Sequence, residues 1–287
     1  MHDYLISTLL GVVEGLTEYL PVSSTAHLRV TEALLHISLT DGYWKMYTIA
    51  IQLGAILCLP LYFWRRIAAF LSTFPAGTRG DRHVLTHPLG LTLIAFVVTA
   101  GPSFLMTKLI GKHLESLTIM GVSLVAGGVV MWVVDAWAVG DRVRTRDMEE
   151  MSLGQAVWIG ACQILSAVFP GTSRSMATIT SAQLAGMSRA SALEFSFFLS
   201  MPTMAAATGY DLLKSLRGSA DNPIGVAHID AHGWAVLAIG FFVSFFVAYL
   251  SVAWFMAWVR RRGFAPFAAY RIVAGLLVLL FAAKLAG

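Results

Sequence analysis

The sequence predicts an all-α polytopic membrane protein with about six transmembrane helices and two re-entrant helix-loop-helix hairpins, arranged as an inverted repeat. Three observations support this fold class: an apolar composition, six long apolar runs, and a polar motif that occurs twice. Of the 287 residues, 57% are hydrophobic and 13% are charged, whereas an average soluble domain has about 25% charged residues. This composition excludes an ordinary soluble domain.

Six apolar runs approach or exceed the ~20 residues that a helix needs to cross about 30 Å of hydrocarbon. They span residues 44–64, 88–110, 118–138, 191–210, 235–258 and 265–285. We interpret each run as a spanning helix.

The basic residues cluster in three short loops, around residues 65–82, 142–146 and 260–262. If the six spans alternate in direction, all three loops fall on one side of the membrane. The positive-inside rule makes that side cytoplasmic and places both termini on the other side. The net charge of +4 therefore reflects orientation in the membrane, and no nucleic-acid partner is expected.

The polar motif near the start of the chain is echoed in its second half. Glu14 precedes Pro21 by seven residues, and Gln163 precedes Pro170 by the same interval. Three predicted spans separate the two motifs, and an odd number of crossings inverts the second copy relative to the first. Inverted repeats of this kind often bring interrupted helices together near the middle of the bilayer.

The predicted organisation follows from this duplication. Residues 1–140 form a first repeat, residues 141–151 a cytoplasmic link, and residues 152–287 a second, inverted repeat. Each repeat begins with a re-entrant hairpin, at residues 3–36 and 152–187, whose two halves are too short to span a bilayer. Three spans follow each hairpin.

A proline interrupts each hairpin, because Pro21 and Pro170 cannot continue a helix. Hydroxyl residues follow both prolines, and one of them can cap the next helix: Ser23 or Ser24 in the first hairpin, Thr172 or Ser173 in the second. The start of a helix is a natural anion site. The candidate phosphate ligands at the two breaks are Ser23, Thr25, Gly171, Thr172, Ser173, Ser175 and Thr178.

Glu14 and Glu18 are four residues apart, so on a helix their carboxylates share a face. Two carboxylates at membrane depth need a cation or a shared proton. Mg²⁺ is the first choice if phosphate oxygens complete its coordination, and Ca²⁺ is possible. The alternative is structural, with Glu18 paired to Arg29 and Glu14 facing water.

Ser24 and His27 are three residues apart and predicted on one helical face. They could act as nucleophile and base, or His27 could itself be the nucleophile. Arg174 needs an anionic partner at membrane depth, and its planar guanidinium suits phosphate oxygens. A structural pair of Arg174 with a glutamate is the alternative. Asp135, Glu194 and Arg271 are lesser candidates, for which a structural role is as plausible as a catalytic one.

These residues together resemble the undecaprenyl-diphosphate phosphatase family, also called the bacitracin-resistance proteins. The segment from Glu14 to His27 resembles the family's glutamate-rich segment and P-[IV]-S-S-T-G-H pattern, and Pro170 to Thr178 resembles P-G-x-S-R-S-G-A-T. The resemblance covers most of the chain. Ala26 and Met176 stand where the family usually has glycine.

The resemblance implies an enzyme of the bacterial inner membrane that hydrolyses a polyprenyl diphosphate. The orientation inferred from the loop charges places its pocket on the non-cytoplasmic side, and a homodimer is possible. Glu14, Glu18, Ser24, His27 and Arg174 are then the expected catalytic residues. Attack by Ser24, by His27 or by activated water stays open. A transporter or flippase of phosphate or polyprenyl phosphate is the rival interpretation, because inverted repeats with broken helices also occur in carriers. In either case Arg174 should lie within ~15 Å of the Glu14 and Glu18 carboxylates.

Overall fold

The computed structural model describes residues 2–38, 41–110, 116–217 and 229–285. The terminal positions of the two predicted repeats, residues 1 and 286–287, lie outside this set. The described chain is almost entirely helical, with one isolated β-bridge. The α-helices, in chain order, are α1 His2–Thr17, α2 Ser24–Leu34, α3 Gly42–Tyr62, α4 Trp64–Thr73, α5 Pro88–Ile110, α6 Leu117–Trp137, α7 Leu153–Val168, α8 Arg174–Leu184, α9 Arg189–Leu216, α10 Ala231–Arg262 and α11 Ala265–Leu285.

Four described helices, α3, α5, α6 and α10, are long and apolar enough to cross a membrane. They coincide with four of the six predicted spans. The other two predicted spans are helical as well. Helix α9 has 28 residues but carries charged side chains such as Glu194 and Asp211, and the described apolar part of α11 is the shorter segment Ala265–Leu280. The protein is therefore an all-α polytopic membrane protein, as predicted.

The three basic loops lie at one end of the molecule, called here the basic end. Arg66 at the start of α4 binds Glu149, in the connection between α6 and α7, at 2.7 Å. Asp135 near the end of α6 accepts hydrogen bonds from Arg189 at 2.7 Å and from the Phe264 amide, between α10 and α11, at 3.0 Å. This arrangement is the one that the alternation of spans predicts.

The two short-helix hairpins open at opposite ends. Helix α1 starts at the end opposite the basic end, where Asp3 meets His232 of the α10 start at 3.0 Å. Helix α8 ends at the basic end, where the Gly186 carbonyl accepts hydrogen bonds from the amides of Arg144 and Thr145. The proline turns of both hairpins therefore lie in the interior between the two ends.

Glycines allow each hairpin to pack tightly against a long helix of the other half. A Cβ atom at Gly11 of α1 would lie 2.8 Å from the Gly240 carbonyl of α10. A Cβ atom at Gly160 of α7 would lie 2.5 Å from the Ala95 carbonyl of α5. Both glycines stand ten residues before the proline of their hairpin. Small residues at such contacts let helix backbones approach closely.

The main apolar core surrounds the two proline turns. Tyr19, in the first turn, and Met176, just after the second, belong to the same buried cluster as Phe197 and Phe255. The Tyr19 and Phe197 rings meet edge to face with centroids 5.4 Å apart, a favourable geometry for an aromatic pair. The core thereby holds the turns in place from their apolar side.

Candidate active site

A serine with positive φ caps the helix that follows each proline turn. Ser23 (φ 73°) caps α2 and accepts a hydrogen bond from the Ala26 amide, and Ser173 (φ 69°) caps α8 and accepts one from the Met176 amide. The sequence left two candidates at each break, and the structure selects Ser23 and Ser173. The caps fall two residues after one proline and three after the other, so the turns differ by one residue.

The capped helices present backbone amides to the interior. An α-helix leaves its first N–H groups without intrahelical partners, and each capping serine takes the third of them. The amides of Ser24 and Thr25 in α2, and of Arg174 and Ser175 in α8, remain for a ligand. Two helix starts of this kind favour an anion between them.

Glu18 connects the two hairpins. Its Oε2 atom accepts a hydrogen bond from the Ser24 hydroxyl at 2.5 Å, and its Oε1 atom lies 3.4 Å from Nη2 of Arg174. All three side chains are buried or nearly so, with Glu18 7% exposed. The Arg174 guanidinium is therefore much closer to the Glu18 carboxylate than the expected limit of ~15 Å. A hydroxyl, a carboxylate and a guanidinium meet here in surroundings of low polarity, where such contacts are strong.

Glu14 lies one helical turn before Glu18, and the Glu18 amide donates to the Glu14 carbonyl at 2.9 Å. Its side chain is 1% exposed, and neither carboxyl oxygen has a hydrogen-bond partner among the described residues. Because Glu14 and Glu18 are neighbours at this spacing, their two carboxyl groups need a proton or a cation between them. Two free oxygens beside an anion site fit a hard divalent cation whose other ligands come from phosphate and water. No group of three metal-ligating side chains occurs in the described part of the chain.

His27 is engaged away from Ser24. Its Nδ1 atom donates to the Ser23 carbonyl at 2.7 Å, since a carbonyl can only accept, and its Nε2 atom lies 2.7 Å from the Tyr270 hydroxyl. The His27 and Tyr270 rings also stack, with centroids 5.6 Å apart. The described hydrogen bonds therefore pair Ser24 with Glu18, whereas the sequence spacing suggested His27.

The predicted phosphate ligands of the second turn are used in different ways. The hydroxyls of Ser173 and Ser175 lie 3.0 Å apart, and Ser175 donates to the Leu20 carbonyl of the first turn. Thr178 is fully buried, and its hydroxyl contacts Ser196 of α9 at 2.7 Å. Thr178 therefore anchors α8 to α9, and its hydroxyl also contacts the backbone carbonyls of Arg174 and Ser175.

Of the remaining predicted ligands, Thr25 is exposed and Thr172 is buried. Gly171 has a φ of +89°, and a Cβ atom there would lie 2.5 Å from the Met120 carbonyl of α6. Glycine is required at this turn for both reasons. Gly171 shapes the site through its backbone.

Among the described residues, the largest fully buried side chain is that of Arg271 in α11, one of the lesser candidates from the sequence. Its Nη1 atom donates to the Pro21 carbonyl at 2.9 Å, and its Nη2 atom donates to the carbonyls of Ser123, Gly171 and Thr172 at 3.0 to 3.1 Å. A charge inside an apolar run was the sequence signal for this residue. Its acceptors, spread over three distant segments, could not be found from spacing.

The two residues that replace family glycines pack in apolar clusters. Ala26 packs in a small apolar cluster with Met120 and Leu124. Met176 belongs to the main core, close to Gly127 of α6. Their additional bulk is thus accommodated against α6.

Comparison with known proteins shows which family the chain is similar to. A family model described as bacitracin resistance protein BacA matches residues 7–277. The chain is 66% identical over 286 residues to a protein of Koribacter versatilis named undecaprenyl-diphosphatase, with 99% of this chain and 100% of that protein covered. Proteins with the same name from Thermus thermophilus and Caldanaerobacter subterraneus are 41% and 37% identical, each with at least 95% of both chains covered.

Proposed function

The chain belongs to the bacitracin resistance protein BacA family, and we propose that it is a phosphatase that hydrolyses undecaprenyl diphosphate to undecaprenyl phosphate and inorganic phosphate. The observation that carries the proposal is the contact between the Ser24 hydroxyl and Glu18, with Arg174 on the other oxygen of the same carboxylate. This is the layout of a nucleophile, its base and an anion ligand. The reaction would recycle the lipid carrier of cell-wall synthesis.

The geometry supports Ser24 as the nucleophile and Glu18 as its base. The Ser24 oxygen attacks the terminal phosphorus while its proton passes to Glu18. The bond from phosphorus to the bridging oxygen breaks, and its electron pair leaves with undecaprenyl phosphate. Glu18 passes that proton to the departing undecaprenyl phosphate. Water then attacks the phosphoserine while one of its protons passes to Glu18, the bond from phosphorus to the Ser24 oxygen breaks to release phosphate, and Glu18 returns the proton to the Ser24 oxygen. A base in hydrogen-bond contact with its nucleophile typically contributes about 10²- to 10⁴-fold to the rate.

Arg174 and the two helix starts are proposed to hold the phosphates. The guanidinium offers planar donors to phosphate oxygens, and its Nε atom is buried without a partner among the described residues. The amides at Ser24 and Thr25 approach from one side and those at Arg174 and Ser175 from the other. Charge that develops on the phosphate oxygens is thereby met by donors already in place.

A divalent cation, Mg²⁺ before Ca²⁺, is proposed to bind at Glu14. The two unpartnered oxygens of Glu14 support this assignment, whereas both oxygens of Glu18 already have partners. When bound, such a cation would neutralise charge on the diphosphate oxygens. Metal removal with a chelator is expected to lower the rate, and Mg²⁺ should restore it.

The proposal places the enzyme in the bacterial plasma membrane with its basic end in the cytoplasm. Both termini, and the open end of the α1–α2 hairpin, would then be non-cytoplasmic. The two halves are proposed to form an inverted repeat, 1–140 and 152–287, joined by the link 141–151. The opposite openings of the hairpins and the matching contacts of Gly11 and Gly160 support it. A homodimer stays a prediction.

The test is release of inorganic phosphate from farnesyl or undecaprenyl diphosphate by purified protein in detergent, with Mg²⁺ present. Wild-type protein should release phosphate and Ser24→Ala should not, and quenching during turnover should trap acid-stable phosphate on Ser24. Ser251→Ala is the matched control, because Ser251 is a buried serine whose hydroxyl donates to the Val247 carbonyl of its own helix. It should keep wild-type rates.

Absence of phosphate release by folded wild-type protein would overturn the proposal in favour of a carrier, which needs positive charge but no nucleophile. Acid-labile trapped phosphate would shift the nucleophile to His27. Normal turnover by Ser24→Ala would point to activated water.

A further inference from the structure

Arg271 lies far from Glu18 along the chain, yet its buried side chain contacts the backbone of both proline turns. It lies 250 residues from Pro21 and 100 from Gly171 along the chain. Its side chain has no exposed surface. Its four acceptors among the described residues are backbone carbonyls, and three of them belong to the two turns.

Carbonyls at a helix break need donors, because the interruption removes their intrahelical partners and no water is available at membrane depth. Arg271 supplies such donors to Pro21 in the first turn and to Gly171 and Thr172 in the second. The guanidinium is planar and rigid, so the spacing of its two terminal nitrogens fixes the spacing of the carbonyls that they bind. One side chain therefore sets the distance between the two turns.

That distance determines whether the proposed reacting groups meet. Ser24 stands three residues after Pro21, and Arg174 stands two residues after Thr172. The two side chains reach the same carboxylate, Glu18, only if the turns keep their present separation. A further link between the turns, from the Ser175 hydroxyl to the Leu20 carbonyl, is a single hydrogen bond at 3.0 Å.

We infer that Arg271 is a positioning residue for the phosphatase reaction: its guanidinium clamps the two proline turns together so that Ser24 and Arg174 act on one phosphate. The inference rests on the proposed function. In this role Arg271 acts by holding the backbone of the turns in place. It does not need to contact the substrate, and its charge without the planar guanidinium would not be enough. Small displacements of reacting groups cost rate, about 10²-fold for roughly 1 Å.

The structure also provides an indirect way to move the clamp. A Cβ atom at Gly127 of α6 would collide with Nη2 of Arg271. Gly121 lies on the same helix, and its Cβ atom would meet Leu279 of α11 at 2.7 Å, away from the guanidinium. Gly127→Ala and Gly121→Ala therefore disturb the same helix pair, but only the first disturbs Arg271.

The experiment measures kcat and KM for farnesyl diphosphate with wild type, Arg271→Lys, Gly127→Ala and Gly121→Ala, each corrected for its folded fraction. Lysine keeps the charge but cannot span both turns, so we expect Arg271→Lys to lower kcat at least about 10-fold, with KM within about threefold. Gly127→Ala should lower kcat in the same way, and Gly121→Ala should stay within about twofold of wild type. A role in folding alone would reduce folded yield and leave kcat per folded molecule unchanged.

Near-normal kcat in Arg271→Lys would overturn the inference, because charge without the planar fork would then suffice. If Arg271→Lys yields too little folded protein, Gly127→Ala decides, and equal kcat values in Gly127→Ala and Gly121→Ala would also overturn it. The wild-type reaction separates this outcome from failure of the proposed function. If wild-type protein releases no phosphate, the function fails, whereas normal release by wild type and variants removes only the clamp.

Discussion

Glu18 is the single residue on which the proposed chemistry depends most, because one of its oxygens meets Ser24 and the other meets Arg174. The sequence identified all three residues as catalytic candidates. It did not identify their pairing, since helical periodicity relates only residues of one helix. Glu18 lies in the turn that follows α1, and the turn folds this carboxylate back onto the first residue of α2.

Replacing Glu18 with glutamine should remove the base and keep the side-chain size. We expect kcat for phosphate release to fall about 10²- to 10⁴-fold, because glutamine cannot take the Ser24 proton. Glu32→Gln is the control, since Glu32 is also a buried glutamate of the first hairpin but lies 3.0 Å from Arg29. Turnover by Glu18→Gln within a factor of about two of Glu32→Gln would contradict the assigned base.

At the scale of secondary-structure elements, the two helix breaks determine where the site lies. Both follow a proline, both are capped by a serine with positive φ, and both start a helix of 11 residues. The proline break and the hydroxyl cap at each turn were predictable from the sequence. The choice of capping residue, its positive φ and the length of the following helix were not. The tight contact of the second turn with α6 was not, because no local pattern shows which helix lies against a turn.

Gly171→Ala tests the second turn as an element. The turn holds residue 171 in the left-handed region at φ +89°, and the added methyl group would meet the Met120 carbonyl. We therefore expect the free energy of unfolding to fall by about 1 to 3 kcal/mol from backbone strain, with a lower melting temperature in detergent. Gly154→Ala, in the first turn of α7, is the matched control, because its Cβ atom would have only Ser152 Oγ at 3.9 Å nearby. Equal melting temperatures for the two variants would show that the turn tolerates a side chain.

Across the whole molecule, the two hairpins enter from opposite ends and meet around Glu18. At the basic end lie the connection between α6 and α7, the start of α4 and the turn between α10 and α11. We propose from the positive-inside rule that this end faces the cytoplasm. The proposed pocket then opens through the α1–α2 hairpin to the other side.

Labelling with a membrane-impermeant maleimide checks this orientation. In a background with Cys58 and Cys162 replaced by alanine, Asp141→Cys should react only in inverted vesicles, because Asp141 is exposed at the basic end. Arg217→Cys, exposed at the end of α9, should react only from outside intact cells. The reverse pattern at both positions would invert the assigned orientation.

The sequence by itself determined the membrane class, the six long helices, the two broken hairpins and the polar residues at their turns, because apolar length, proline and hydroxyl positions act locally along the chain. It did not predict helix α4, which lies in a segment interpreted from the sequence as a basic loop. The tertiary structure alone decided which groups meet: Ser24 with Glu18, His27 with Tyr270, Thr178 with Ser196, and Arg271 with both turns. These contacts join segments up to 250 residues apart. They depend on how helices pack in three dimensions, and residue spacing in one helix carries no information about that packing.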